Sequence, residues 1–201
     1  MKHTALRCLL AAAISVIFPA LRAQEVGSWT LYPARGSVGQ VATAGDVTYA
    51  LTGSTLFSYT ASDESVVPHT RLMGLSSTGV DKIAYSEAAQ TLVIVYSNLD
   101  IDLMRGGKIT NLPELKERIM TGTKLVNSIS VVGSYAYLAT SFGTIVLDLT
   151  NQTMAETYQT GRSERISLPF ADYILAAADA GIFACKLSEN PYDKSNWHNV
   201  I

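Results

Sequence analysis

Cysteine, histidine and charge are all scarce in this chain of 201 residues. Two cysteines, Cys8 and Cys185, build no disulfide framework. Three histidines, with no Cys/His pair at ligand spacing, supply no zinc-type donor set. Charged residues make up only 16% of the chain and the formal net charge is −2, so no basic stripe exists to displace counterions and nucleic acid is not an expected partner. The longest apolar run near the start falls short of the roughly 18 residues that a membrane-crossing helix needs. What the chain does have is apolar material: 48% of its residues are hydrophobic, which suits a folded domain or part of a larger one.

Residues 1–23 read as a signal peptide. Lys2 and Arg7 form a basic start, Cys8 to Phe18 is an apolar core, Pro19 ends it, and Ala23 is a small residue before the cut. Cys8 lies at the front of the apolar core rather than after it, which argues against a lipoprotein. Removal takes three of the 15 basic residues, against 17 acidic ones, and leaves Cys185 alone in the apolar segment IFACKL as an expected buried free thiol.

The segment TLVIVYSNLDIDLM (Thr91 to Met104) reads as a β-hairpin whose first arm does not alternate, so both faces of Leu92 to Tyr96 must be covered. Three further hairpins share its plan: VTYALTGSTLFSY from Val47, YAYLATSFGTIVLDL from Tyr135 and YILAAADAGIFACKL from Tyr173. Aligning their second arms on Leu56, Ile101, Ile145 and Ile182 gives steps of 45, 44 and 37 residues. A β-like segment precedes each hairpin, and a polar one follows each of the first three. Four strands per unit of about 40 residues is the pattern of a β-propeller blade, in which neighbouring blades cover both faces of the middle strands. The expected fold is therefore all-β, with four-stranded antiparallel blades at residues 38–75, 76–123, 124–161 and 162–201. Such a set would be an incomplete propeller, either the amino-terminal part of a larger one or a truncated product with an unpaired edge on its last blade.

Two rival architectures fit less well. A membrane barrel needs strands of about 9 to 11 residues with aromatic girdles, whereas these arms run about six and aromatics are 8% of the chain. A β-sandwich does not explain the regular repeat. The outer strands can carry charge, as Glu64, Lys108 and Glu156 suggest, and Ala176, Ala177, Ala178 and Ala180 suit a crowded contact between blades. In NLPELKERIM, Asn111 is expected to cap a short helix, with Pro113 and Glu114 in its first turn and Leu112, Leu115 and Ile119 on one face.

Chemistry is hard to find. His69 and His198 lie in polar stretches without a nucleophile motif and read as solvated. Asp100 and Asp102 are too few for a calcium loop and read as exposed carboxylates of a turn and a strand. Arg105 to Lys108 and Asn151 to Thr153 read as turns. Trp29, Tyr32 and Trp197 are the aromatics to watch, with tryptophan expected to anchor one blade on the next. A propeller glycosidase would need paired carboxylates across its channel, and the sequence singles out no pair. No catalytic, cofactor-binding or metal-binding residue is assigned.

The segments SWTLYP from Ser28, MGLSSTGVDKIAYSEAAQTLVIVYSNLDIDLM from Met73, TGTKLVNSISVVGSYAYLATSFGTIVLDL from Thr121 and the following ETYQTG together resemble the amino-terminal propeller of PorZ-type proteins of the Bacteroidetes type IX secretion machinery. The resemblance implies a non-catalytic interaction module at the outer-membrane surface, exported through the periplasm. Its implied partners are a sortase and other proteins of an attachment complex, and it implies lipopolysaccharide handling through domains that this chain lacks. YSNLDIDLM alone is also similar to propellers of periplasmic two-component regulators, so a glycan-sensing propeller is the alternative.

Overall fold

The computed structural model describes residues 36–201; the expected signal peptide, Trp29 and Tyr32 lie outside them. Sixteen strands form four antiparallel sheets, each ordered as its strands occur in the chain. The first contains β1 (Val38–Ala44), β2 (Val47–Thr52), β3 (Thr55–Thr60) and β4 (Ser65–His69). The second contains β5 (Val80–Ser86), β6 (Thr91–Tyr96), β7 (Ile101–Arg105) and β8 (Lys108–Leu112), and is followed by the one-turn helix α1 (Glu114–Glu117). The third holds β9 (Val126–Val132), β10 (Tyr135–Thr140), β11 (Gly143–Asp148) and β12 (Thr153–Tyr158). The fourth holds β13 (Glu164–Phe170), β14 (Tyr173–Ala178), β15 (Gly181–Lys186) and β16 (His198–Asn199).

Tight turns set this meander. Gly106 and Gly107 both have positive φ between β7 and β8, the backbone that joins twisted strands in a two-residue hairpin. At the start of every inner strand the register slips past one residue, at Gly39, Asp81, Asn127 and Arg165. Such a bulge bends the strand and sharpens its twist.

The sheets pack face to face in chain order, and their apolar residues sort by interface. Leu51, Leu56 and Ala42 of the first sheet meet Leu92, Ile94, Tyr96 and Met104 of the second. The opposite face of the second sheet, with Val93, Val95, Ile101 and Leu103, meets Leu138, Ile145 and Leu147 of the third. Val146 and Tyr158 on the far face of the third meet Ile174, Phe183, Cys185 and Trp197 around the fourth. Leu92 to Tyr96 therefore have no exposure at all, as their unbroken apolar character requires. Side chains also clip the inner strands together. Gln40 Nε2 donates to the Asp81 carbonyl at 3.1 Å and its Oε1 accepts from the Ile83 N–H, while Asn127 and Ser128 donate to the Glu164 and Arg165 carbonyls. β1 packs on β5, β5 on β9 and β9 on β13, but β13 does not pack on β1, so the ring of sheets is open.

Several sequence expectations need correction. In the register, Leu56 pairs with Leu51, Ile101 with Val95, Thr144 with Ala139 and Ile182 with Ala177. Thr144, not Ile145, is thus the third member of that column; a polar residue sits there because it bonds Glu164. Asn111 does not cap α1. Pro113 occupies that position, because Asn111 lies in β8 and its amide is bonded to two aspartates. Leu112 and Leu115 are buried but Ile119 is fully out in solvent, since the helix ends two residues earlier. Of the four alanines, Ala176 is buried against the third sheet, Ala177 and Ala178 are half-buried and Ala180 is exposed in a turn. Trp197 does anchor the fourth sheet on the third, donating from Nε1 to the Pro191 carbonyl at 2.9 Å.

Candidate functional site at the connection end of the sheets

Because strands alternate in direction, one end of every sheet gathers the start of its inner strand, the turn between its second and third strands and the connection to the next sheet. Among the described residues, the three buried carboxylates, Asp100, Asp102 and Glu164, lie at this end. Asp102 lies in β7, Asp100 directly precedes that strand and Glu164 opens β13, so each acid group sits beside a connecting segment.

Asp100 and Asp102 are not the exposed carboxylates expected from sequence: Asp100 is 4% exposed and Asp102 has no exposure. The polar side of β7 faces the first sheet and its connection, not water. Asp102 Oδ2 accepts from the Tyr96 hydroxyl at 2.6 Å and from the Ser76 N–H at 2.8 Å, and Oδ1 accepts from Asn111 Nδ2 at 2.9 Å. Asp100 Oδ1 accepts from the same amide nitrogen and Oδ2 from Lys116 Nζ, both at 2.9 Å. Burial acts to raise the Asp100 carboxyl, but the hydrogen bonds from Lys116 and Asn111 outweigh it and hold the group below its ordinary value. Burial and the Asp102 hydrogen bond push the Tyr96 hydroxyl well above the usual tyrosine range.

Glu164 opens β13 at the position that Val38, Val80 and Val126 hold in the other inner strands. Its Oε2 accepts from Thr144 Oγ1 at 2.5 Å and its Oε1 from Thr160 Oγ1 at 2.6 Å, and Thr144 also bonds Ser167. Burial raises its carboxyl, opposed by those hydroxyls and by the charge of Arg162. Every oxygen of these three acids accepts a hydrogen bond, and those from Ser76, Lys116 and Thr160 tie the connecting segments to the sheets.

His69 is not the solvated histidine expected. It is half-buried beside Tyr49, with Nε2 2.9 Å from Ser58 Oγ, and burial lowers its pKa. His198 is exposed and Cys185 is buried and free. Arg105 spans from Thr91 to the carbonyls of Leu149 and Thr150 and so ties the second sheet to the third. Along the inner strands, Gln40, Lys82, Asn127 and Ser128 border a polar hollow of about 260 Å³. Among the described residues, no group of three or more His, Cys, Asp or Glu side chains is placed to hold a metal ion.

Four-stranded meanders packed face to face, with their first strands side by side, define an open assembly of β-propeller blades. The model of the family of PorZ N-terminal β-propeller domains, of type IX secretion, matches residues 48–198. The chain belongs to that family. Among solved structures it is similar to PorZ of Porphyromonas gingivalis, a bacterial surface component of the type IX secretion system, at 29% identity and a TM-score of 0.76. The match covers 84% of this chain and 23% of that one, so the chain spans about a quarter of that protein's length. The extracellular domain of the one-component system BT4673 of B. thetaiotaomicron shares the fold, at 15% identity, a TM-score of 0.61 and coverage of 86% and 23%. So does the computationally designed Ika4 protein, at 10% identity and a TM-score of 0.57, with 78% of this chain and 95% of that one covered. No curated protein sequence matches the chain.

Proposed function

We propose that the chain is a non-catalytic interaction module of the type IX secretion apparatus. In this reading it is exported through residues 1–23 and works at the outer-membrane surface, in an attachment complex with a sortase and with the machinery that delivers anionic lipopolysaccharide. Its four repeat units, at residues 38–75, 76–123, 124–161 and 162–201, serve as a rigid body that presents connecting segments to protein partners. The observation that carries the reading is the family match across residues 48–198, together with the 29% identity to a surface component of that system. The site geometry supports it, since the buried acids at the connection end are spent on holding loops in place.

A tagged form of the protein, expressed in its own cell and captured from solubilised outer membranes, should bring down the sortase and other type IX components. Recovery of none of them, with the tagged protein intact at the surface, would overturn the proposal.

A further inference from the structure

The three connections between sheets can be compared position by position. Each carries a basic side chain: Arg71 after the first sheet, Lys116 after the second and Arg162 after the third. Two of them have a carboxylate from the chain itself close by. Lys116 bonds Asp100 at 2.9 Å, and the charge of Arg162 acts on Glu164 while its guanidinium lies 3.9 Å over the Phe183 ring.

The first connection differs. Thr55 stands where Asp100 stands in the second sheet, and Val80 where Glu164 stands in the fourth. Around them is a hollow of about 210 Å³, bordered by Ser54, Thr55, His69, Arg71, Ser77 and Thr78, with Leu75 and Val80 as its apolar wall. No acidic residue borders it, and among the described residues neither Arg71 nor Arg162 forms an ion pair, although Glu164 lies near Arg162. The nearby Asp102 is already engaged by Tyr96, Ser76 and Asn111. The hollow thus combines a guanidinium, an imidazole whose Nε2 is shared with Ser58 and several hydroxyl donors, a set that suits a compact oxyanion, and the acid that serves this connection, Asp102, bonds the Ser76 N–H without lining the hollow.

We propose that this first connection binds the oxyanion of an external ligand, a carboxylate or a phosphate group, in the place where the later connections use their own acids. The guanidinium of Arg71, exposed at the mouth, makes the charged contact. The hydroxyls of Thr55, Ser77 and Thr78 donate from the walls, and Leu75 and Val80 face the non-polar part of the ligand. The inference is independent of the secretion reading, because it rests only on the differences among the three connections.

The test uses the full chain, titrated with inorganic phosphate and separately with acetate, followed by amide chemical shifts of residues 54–55 and 69–80. Saturable shifts confined to those residues with either anion are expected, and the tighter of the two assigns the ligand group. Arg71→Gln should weaken binding at least about tenfold, and Thr55→Asp, which supplies the missing acid, should abolish it while the far-UV spectrum stays unchanged. Absence of saturable shifts with both anions would overturn the proposal, as would binding that Arg71→Gln and Thr55→Asp leave intact in folded protein.

Discussion

The first and second sheets have the same four-strand meander but differ in how many of the described sheets pack on them. In the second sheet, the middle strand Leu92 to Tyr96 has no exposure on either face. In the first, one face is packed through Leu51 and Leu56, while the other leaves Val41 at 56% exposure, Val66 at 47% and Tyr59 at 41%. Burial of a strand is therefore set by the sheet beside it rather than by its own hydrogen bonds, and a blade is only as buried as its neighbours make it.

The largest expected effect follows from that difference. Leu92→Ala or Ile94→Ala removes buried methyl groups from an interface that cannot collapse, and should lower stability by about 2–5 kcal/mol in urea unfolding. Val66→Ala, at a half-exposed position of the first sheet, should change it by no more than about 0.5 kcal/mol. Similar losses for the two kinds of variant would break the comparison.

Buried and exposed carboxylates sharpen it further. Asp102→Ala strips the acceptor from the Tyr96 hydroxyl, the Ser76 N–H and the Asn111 amide, and should cost about 2–4 kcal/mol. Asp81→Ala removes a half-exposed partner of Lys82 and should cost less than about 1 kcal/mol.

A smaller effect contrasts the connections. Leu56 with Val80 and Ile101 with Val126 are apolar pairs at the first two, where Thr144 and Glu164 stand at the third. Glu164→Val alone leaves the Thr144 and Thr160 hydroxyls without their acceptor and should destabilise by about 1–2 kcal/mol. Combined with Thr144→Ile it should recover most of that loss in a double-mutant cycle.

The smallest effects are the pH responses, which have opposite signs in the two regions. Burial lowers the His69 pKa below its ordinary 6.5, so the unfolded chain takes up the proton first and stability falls as pH drops through 6.5 toward the folded value. Burial raises the Glu164 carboxyl above its ordinary 4.5, so the folded chain takes up the proton first and stability rises as pH drops from the folded value toward 4.5. Denaturant midpoints measured from pH 8 to 4.5 should therefore lose the acid-side gain in Glu164→Gln and lose the earlier decline in His69→Gln.

Much of the architecture was legible because the two-sided apolar run from Leu92 to Tyr96 has few explanations other than neighbours on both sides. The aspartates were not, because Ile101, Asp102 and Leu103 alternate in the same way whether the polar side faces water or another sheet. A signal was present: Asp102 stands in a column with Phe57, Ile145 and Phe183, and one acid in an otherwise apolar column is a buried acid. That column was hidden by Thr144, whose hydroxyl made the apolar arm of the third hairpin look one residue shorter than it is. Asn111 resembled a helix cap for a similar reason, since the amide that suits a cap also suits a bridge between two carboxylates, and spacing alone does not separate the roles.

Thiol reactivity at adjacent positions tests the coverage of the second sheet most directly. In a full-length Cys8→Ser background, Val93→Cys and Ile94→Cys point to opposite faces of β6, and both should resist an alkylating reagent as completely as the buried Cys185, while Val66→Cys reacts at once. If either position 93 or position 94 reacts as fast as position 66 in folded protein, one face of the second sheet lies open and the stacking of blades described for this chain is wrong.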